Sequence, residues 1–338
     1  LTIGRQTAVV GRGIAFANAS DGIQVEFGYK RNMLKLFSVK LDRSLDDIDP
    51  GAISPPSNGH THRRFAGLEQ KWNPHPFASP YVFYLKSWDN NARRVDPQTG
   101  EMHIYKPTFV GYGASGVLIV PQLSYFCEFI RVFGTATGQG DKSDTTRVDA
   151  EAYDVGFRYQ FRGKYAPAIS YEYAYGSGDP DRQTTVNSTL LGNRSGPDEA
   201  FRSFGGVSLG YALSPTLVNL KARKYGLSIM PFANFEASKI KGIQFQTEFY
   251  LFSRAIMPGP ISDMSAFANN NAREKIGKEI DLAMTWQVMN DLRLNVRWGK
   301  FVPAEDSYGS DVFLDGRTVM IRGAVNEIYF RVQCSLDL

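Results

Sequence analysis

Apolar and polar residues alternate strictly along two adjoining stretches near the carboxyl end of the chain. In the first stretch the apolar positions are Ile280, Leu282, Met284, Trp286 and Val288. In the second they are Leu292, Leu294, Val296 and Trp298. A period of two is the repeat of a β-strand, whose side chains point alternately to its two faces. The two stretches therefore predict a hairpin of long strands, with one apolar face and one charged face, joined by a turn at residues 289–291.

The alternating pattern at the end of the sequence indicates whether the apolar face of such a hairpin meets a protein core or lipid. Its apolar positions continue to the end of the sequence: Ile328, Phe330, Val332, Cys334, Leu336 and Leu338. A soluble protein would bury the apolar face in a core, whereas a membrane barrel would turn it to lipid and its charged face to a water-filled lumen. A soluble edge strand this long and this apolar would favour aggregation. The pattern therefore favours the membrane barrel.

Composition is compatible with that choice. The sequence contains no apolar run of the ~18 residues that a transmembrane helix requires. It contains 17 Tyr and 23 Phe, residues that suit the aromatic girdles of a membrane barrel. The formal net charge of +4 is too small to indicate a particular partner.

The same alternation recurs along the chain as a series of hairpins. Short turns alternate with long polar loops, as in outer-membrane barrels, whose short turns face the periplasm. We predict an all-β fold, a transmembrane antiparallel β-barrel of about 14 strands, in one domain that spans residues 1–338. The loops at residues 176–202 and 258–275 are expected on the outer side, poorly ordered or folded over the mouth.

Several motifs resemble those of the alginate-export family of outer-membrane porins, and they keep the family's order and spacing. The motifs are Gly4-Arg5-Gln6, residues 173–179, Asn219-Leu220, residues 276–282, Arg297-Trp298-Gly299-Lys300-Phe301, Pro303 and Asp306-Ser307-Tyr308-Gly309. The resemblance implies an 18-stranded barrel, of which this chain would be the C-terminal part, with about four strands preceding Gly4. It also implies an electropositive pore for an anionic uronate polymer.

Two lines of reasoning identify candidate pore residues. The family motifs carry over Arg5, Arg202 and Arg297. Strand parity independently predicts a lumen-facing position for Arg158, Arg254, Arg293, Arg297 and Arg331, and for the acidic residues Glu26, Asp154, Glu172, Glu248, Glu279, Asp281 and Glu327. Arg293, Arg297 and Arg331 are expected to form one basic surface that passes carboxylates along the pore. Alternatively, Glu279 and Asp281 pair with these arginines and leave a wall of mixed charge.

Other chemistries have little support in the sequence. It contains no nucleophile elbow, Walker loop, Rossmann fingerprint or paired-cysteine zinc site, so we expect no enzyme, no catalytic residue, no cofactor and no metal. His60, His62 and His75 lie in a loop rich in Pro, Gly and Asn and are interpreted as loop residues.

Two functions therefore stay open for the predicted barrel. One is an outer-membrane channel that passes an anionic polysaccharide or small anionic solutes by passive diffusion. The other is a barrel plugged by its loops that serves as a platform for partner proteins. The expected partners are outer-membrane lipid and lipopolysaccharide, the anionic solute and a periplasmic or outer-membrane protein; nucleic acid is not expected.

Overall fold

The computed structural model describes most of the chain. The described residues are 1–41, 63–73, 77–89, 105–137, 145–181, 195–235, 239–257, 259, 261, 274–289, 292–304, 310–314, 317–321 and 328–336. After residue 304 the description is of the backbone, with the exposure of the Arg331 side chain. His60, His62, His75, Glu327 and nearly all of residues 258–273 lie outside the described residues.

The described strands form one large antiparallel sheet and one small hairpin. The large sheet has 14 strands; β1 to β13 pair in sequence order, β13 then pairs with β16, and β14 and β15 form the separate hairpin. The strands are β1 (Thr2–Val10), β2 (Phe16–Tyr29), β3 (Asn32–Leu41), β4 (Arg63–Trp72), β5 (Ser79–Asp89), β6 (Tyr105–Val117), β7 (Leu123–Thr137), β8 (Thr145–Gln160), β9 (Ala168–Gly176), β10 (Leu220–Ile229), β11 (Ile243–Arg254), β12 (Lys275–Gln287), β13 (Leu292–Pro303), β14 (Ser310–Leu314), β15 (Arg317–Ile321) and β16 (Ile328–Leu336). A short 3₁₀ helix, Lys239–Gly242, precedes β11. No helix among the described residues is long and apolar enough to span a membrane.

The predicted hairpin is confirmed as β12 and β13. Leu282 lies opposite Trp298 and Trp286 lies opposite Leu294, so the apolar positions of both strands share one face. This face points outward, because Ile280 and Leu282 are 39% and 43% exposed while Glu279 and Asp281 are each 1% exposed. The apolar outer face and the polar inner face are the arrangement that a membrane barrel wall requires.

The sheet curls around an interior, as contacts between distant strands show. Residues 11–15, between β1 and β2, donate backbone hydrogen bonds to Glu69 of β4 and to Glu128 of β7. Strands β1 and β16 are the two edges of the large sheet, and no pairing joins them among the described strands. The prediction of an antiparallel wall of about 14 strands is thus confirmed, whereas the sheet does not close into a complete ring.

The two rims of the wall differ in the length of their connections. Connections after odd-numbered strands include the long ones, at residues 42–62, 90–104, 177–219, 255–274 and 304–327. We call this end the long-connection rim. The connections at the opposite end, the short-turn rim, include residues 30–31, 118–122 and 288–291. The predicted alternation of short turns and long loops is therefore confirmed.

The sequence pattern predicts a strand at residues 22–29 and loops at residues 134–146 and 303–316. The structure departs from these predictions in three places. Strand β2 begins at Phe16 rather than at residue 22, since small residues such as Ala17 and Ser20 pair with β1 without giving an apolar alternation. Strand β8 begins at Thr145, inside a predicted loop. The hairpin of β14 and β15 forms where a loop was predicted. In each place local composition resembled a loop, whereas strand pairing determined the outcome.

Candidate functional site

Two stretches of irregular backbone enter the interior from the long-connection rim. We call residues 11–15 the inner turn and residues 195–219 the inner segment. They bind each other through backbone hydrogen bonds: Phe204 N–H donates to the Ala15 carbonyl at 3.0 Å, and Ala17 N–H donates to the Phe204 carbonyl at 3.2 Å. Gly206 N–H donates to the Gly13 carbonyl at 3.0 Å. The inner segment therefore extends the edge of β2 into the lumen.

Aromatic packing fixes the inner segment against the wall. The Phe204 ring lies edge-on to Phe65 of β4, with 4.7 Å between ring centroids. Other apolar side chains that are buried around it are Ile14, Phe16, Tyr105, Phe109, Phe201, Leu209 and Leu213. Gly205 makes this approach possible, because a Cβ atom there would lie 1.8 Å from the Gly13 carbonyl oxygen. An apolar cluster thus fills part of the lumen.

Two of the motif residues that indicated the family, Asn219 and Asp179, hold the two ends of the inner segment in place. Asn219 adopts a positive φ of 51°, and its backbone N–H donates to the Ser177 carbonyl at 3.1 Å. Its side chain accepts from Ile256 N–H at 2.8 Å and donates to the Ile256 carbonyl at 3.1 Å. Asp179 accepts from Glu199 N–H at 3.1 Å. These residues therefore connect the ends of β9, β10 and β11 beneath the inner segment.

Arg202 has a different environment from the one that the family resemblance implied. Its side chain is 2% exposed, pairs with the carboxylate of Asp198 and stacks on Tyr105, with 4.1 Å from the guanidinium carbon to the ring centroid. The Tyr105 hydroxyl donates to the Arg202 carbonyl at 2.8 Å. A guanidinium enclosed in this way holds the inner segment to the wall and does not face a solute.

Glu279 anchors the other half of the inner segment. Its carboxylate accepts three backbone hydrogen bonds, from Tyr211 at 2.7 Å, Ala212 at 2.7 Å and Leu213 at 2.9 Å. It therefore serves the backbone and makes no ion pair with Arg293 or Arg297 among the described residues. Asp281, the next residue on the same face, is buried beside Glu279.

The inner turn is held by a second group of charges. Arg12 N–H donates to Glu128 at 2.7 Å, and the Arg12 guanidinium pairs with Asp154 at 3.2 Å and stacks over Phe126. Gly11 N–H donates to Glu69 at 3.0 Å, and Glu69 pairs with Lys35 at 2.8 Å. The Arg12 side chain is one-third exposed, so it borders the remaining lumen while its backbone is fixed.

Carboxylates continue around the interior on successive strands. Glu128 of β7 lies opposite Asp154 of β8, and Glu248 of β11 lies opposite Asp281 of β12. Between these pairs, Lys224 of β10 binds Glu248 at 2.9 Å and Glu172 of β9 at 3.5 Å. The inner side of strands β7 to β12 therefore carries an arc of carboxylates with an embedded cation, Lys224. Along these strands the inner wall has mixed charge.

The arginines of the last strands are set apart from that arc. Arg297 lies directly opposite Arg331 across β13 and β16, and Arg293 of β13 lies opposite Ser335. The Arg297 guanidinium lies 5.4 Å from the ring centroid of Tyr211, and Arg293 donates to the Gln287 side chain at 3.0 Å. The register thus makes Arg297 and Arg331 direct neighbours on one face, with Arg293 two inward-facing positions away along β13.

Arg158 also lies on the inner face, toward the short-turn rim. Its guanidinium donates to Gln160 and to Ser228, both at 3.3 Å. Both of these partners are neutral, and no ion pair to Arg158 is present among the described residues. Arg254, in contrast, is buried and donates to the Gly259 carbonyl at 2.9 Å.

Arg5 lies on the opposite face from the one that the family resemblance implied. Ala8 and Val10 of β1 are buried, so even-numbered positions of this strand face inward and Arg5 faces outward. Its direct neighbour is Asp21 of β2, with which it forms an ion pair at 3.2 Å. The outward alternation of Leu1, Ile3 and Val9 could have indicated this.

Sequence reasoning missed several of the lumen residues that the structure brings together. Lys35, Glu69, Glu128 and Lys224 follow strand parity and could have been found by it. Arg12 and Tyr211 lie outside the strands, where no period exists to place a side chain. Their positions depend on the folding of the inner turn and inner segment.

A substitution at Glu279 tests its anchoring role. We expect Glu279→Ala to increase amide hydrogen exchange at residues 211–213 about 100-fold, because charge-assisted hydrogen bonds of ~1.5–3 kcal/mol each are lost. Hydrogen-exchange mass spectrometry in detergent measures this. Glu274→Gln, a partly exposed carboxylate bound to Lys221, is the control and should change nothing there. Equal exchange in Glu279→Ala and in the unsubstituted protein would contradict the anchoring role.

The antiparallel sheet with an enclosed interior has the fold of outer-membrane β-barrel proteins. Solved structures of Pseudomonas aeruginosa proteins with this fold include OccK11 (OpdR), with 12% identity over 98% of this chain and 74% of that chain and a TM-score of 0.54. OccK5 (OpdH) has 11% identity over 98% and 76%, with a TM-score of 0.55. The outer membrane protein OprD has 12% identity over 98% and 72%, with a TM-score of 0.53.

The family follows from the sequence. The family model described as alginate export matches residues 1–307, and the chain belongs to this family. A comparison with curated proteins gives no match. Family and fold together place the protein in the bacterial outer membrane, with a channel role.

Proposed function

We propose that the protein passes an anionic polysaccharide of the alginate type, or smaller anionic solutes, by passive diffusion. The observation that carries this proposal is the direct pairing of Arg297 with Arg331 on the inner face, with Arg293 nearby. A polyuronate presents one carboxylate per sugar, and arginine binds a carboxylate through two hydrogen bonds that can be exchanged. A series of such weak sites lets a polyanion advance without a deep trap.

The local charge balance supports this role for the last strands. Glu279 and Asp281 were the candidates to neutralise these arginines. The Glu279 carboxylate accepts hydrogen bonds from three backbone N–H groups of the inner segment. Asp281 makes no ion pair with Arg293 or Arg297 among the described residues. Tyr211 covers one face of Arg297, and among the described residues no ion pair reaches this guanidinium. The arc of carboxylates lies on strands β7 to β12, so the basic surface on β13 and β16 borders it and does not coincide with it.

A second function is favoured by a different observation. The apolar packing of Phe201, Phe204 and Leu213 fills part of the interior, as in a barrel plugged by its own loops. Such a barrel would serve as a platform for a periplasmic or outer-membrane partner protein. In either case outer-membrane lipid and lipopolysaccharide surround the wall.

The ion selectivity of the pore distinguishes the anion channel from the plugged barrel. We expect the double substitution Arg293→Glu and Arg297→Glu to change a modest anion preference into a cation preference, because both charges line the path. The measurement is the reversal potential under a salt gradient, with the full-length protein in planar bilayers. The control is Lys30→Glu with Lys164→Glu, which makes the same change in net charge at the short-turn rim.

Three outcomes decide between the functions. A reversed sign of the reversal potential in the arginine variant alone supports the anion path. An unchanged potential in a folded, conducting variant rejects the role of these arginines. Absence of current with the unsubstituted protein supports the plugged barrel.

A further inference from the structure

On the strands whose side chains are described, the charged residues of the outer face lie toward one end of the wall. Outward positions near the long-connection rim carry many cations, which we call the basic belt: Arg5, Lys40, Arg64, Lys86, Lys106, Arg131, Arg147, Lys221, Arg223, Lys275, Lys278 and Lys300. The outward carboxylates of the described strands are fewer: Asp21, Asp149 and Glu151. Nearer the short-turn rim, outward positions of strands with described side chains carry no charge and include Phe27, Leu36, Leu68, Tyr112, Phe157 and Leu227.

Strand register brings members of the belt close together. Lys40 of β3 lies directly opposite Arg64 of β4. Further around the wall, Lys221 and Lys275 both lie opposite Ser253 of the intervening strand β11. In the next outward row, Arg223 and Lys278 both lie opposite Leu251. Two strand spacings are about 10 Å, so β10 and β12 present four cations in one small patch.

The available carboxylates compensate only part of the belt. Asp21 binds Arg5 at 3.2 Å, Glu151 binds Arg131 at 2.8 Å and Asp149 binds Arg147 at 3.0 Å. Lys221 binds Glu274 at 3.3 Å. Among the described residues, no ion pair reaches Lys40, Arg64, Arg223, Lys275, Lys278 or Lys300.

Such a belt needs an anion at its surface. Cations directly opposite each other destabilise a sheet unless something compensates them. A lysine or arginine on the lipid face costs ~2–4 kcal/mol at the bilayer midplane and ~0–1 kcal/mol near the interface, so the belt belongs at the headgroup level. It borders an apolar band, so its ligand has an anionic headgroup and acyl chains.

We propose that the basic belt binds the phosphate groups of the lipid A part of lipopolysaccharide, whose acyl chains lie against the adjoining apolar band. Arginine binds phosphate through two hydrogen bonds and lysine binds it as a point charge. The belt lies at one end only, which matches a membrane whose phosphorylated glycolipid is confined to the outer leaflet. The patch of four cations suits a headgroup with more than one phosphate. The proposal rests on the outer-membrane location and is independent of what the lumen conducts.

The proposal also assigns the orientation of the barrel. If the belt lies in the outer leaflet, the long-connection rim faces the outside and the short-turn rim faces the periplasm. The inner turn and inner segment then enter the lumen from the outer mouth. This orientation agrees with the one expected from connection length alone.

The test measures retention of defined lipids by the full-length protein with native mass spectrometry in detergent. The probes are diphosphorylated lipid A, the same lipid without phosphates, and phosphatidylglycerol. The variant Arg223→Gln, Lys275→Gln and Lys278→Gln removes most of the patch of four cations. Its matched control neutralises three cations at the short-turn rim: Lys30→Gln, Lys164→Gln and Lys241→Gln.

We expect the patch variant to bind diphosphorylated lipid A about 30- to 100-fold more weakly, with each cation near a membrane surface contributing a few-fold. The control variant should bind as the unsubstituted protein does. Equal binding by the patch variant would overturn the proposal. So would equal binding of dephosphorylated lipid A, or of phosphatidylglycerol, by the unsubstituted protein. These last measurements need no variant, so they decide the question even if a variant fails to fold.

Discussion

Replacing residues 199–216 with a short Gly/Ser linker is expected to raise the single-channel conductance several-fold. This stretch carries Phe201, Phe204 and Leu213 into the lumen, where they are buried against the wall. Its removal exchanges packed side chains for water over much of the cross-section. The linker variant also carries Asp198→Asn, because the deletion removes Arg202 and would otherwise leave the Asp198 carboxylate buried without its partner.

Planar-bilayer recordings with the full-length protein measure this change. The matched control replaces residues 231–235, at the short-turn rim, with Gly/Ser and should keep the original conductance. A conducting unsubstituted protein whose conductance rises in the variant indicates a constricted channel. A silent protein that conducts only after the replacement indicates a plugged barrel. An unchanged conductance would mean that the inner segment does not border the conducting path.

The strands and their faces could be predicted because a two-sided wall leaves a signal at every second residue. Trp298 and Leu282 share the lipid face in the structure as their alternation predicted. The same parity placed Arg297 and Arg331 on the inner face, where they lie opposite each other. The alternation of apolar and polar residues weakens where apolar side chains also pack on the inner face. In β4, for example, Phe65 is buried on the inner face and Leu68 is exposed on the outer face.

The inner turn and inner segment could not be predicted in the same way. Residues 203–210 are rich in Gly and Ser, which is also the composition of a solvated surface loop. The inner turn and inner segment enter the lumen because buried carboxylates on distant strands accept hydrogen bonds from their backbone N–H groups. Glu279 accepts from Tyr211 in this way, and Glu69 accepts from Gly11. Such contacts join residues far apart in sequence, and no local pattern encodes them.

Family motifs identified important positions without identifying their environments. Arg202 and Arg5 both carry over from the family pattern, yet one is enclosed beneath Tyr105 and the other faces outward beside Asp21. A motif indicates that a residue type is needed at a position. Burial and strand parity are needed to decide whether its charge meets a solute, a buried carboxylate or the lipid headgroups.

Arg202→Met is expected to destabilise the inner segment by ~3–5 kcal/mol, because it leaves Asp198 buried without a counter-charge. Asp198→Asn should have a comparable effect, since it leaves a guanidinium enclosed at 2% exposure. The combined variant removes both charges and should recover most of the loss. Hydrogen exchange of residues 198–204, together with the temperature at which the folded band disappears on electrophoresis, measures each effect.

An exposed ion pair provides the comparison for this cycle. Arg131 binds Glu151 at 2.8 Å with both side chains about half exposed, so Arg131→Met should cost at most ~1 kcal/mol. A strongly negative coupling between the Arg202 and Asp198 substitutions would establish a buried pair that holds the inner segment in the lumen. Simple additivity would show instead that Arg202 acts mainly through its packing on Tyr105. Because the inner segment occupies the lumen, loss of this pair should also make the channel current fluctuate between conductance levels, which the combined variant should suppress.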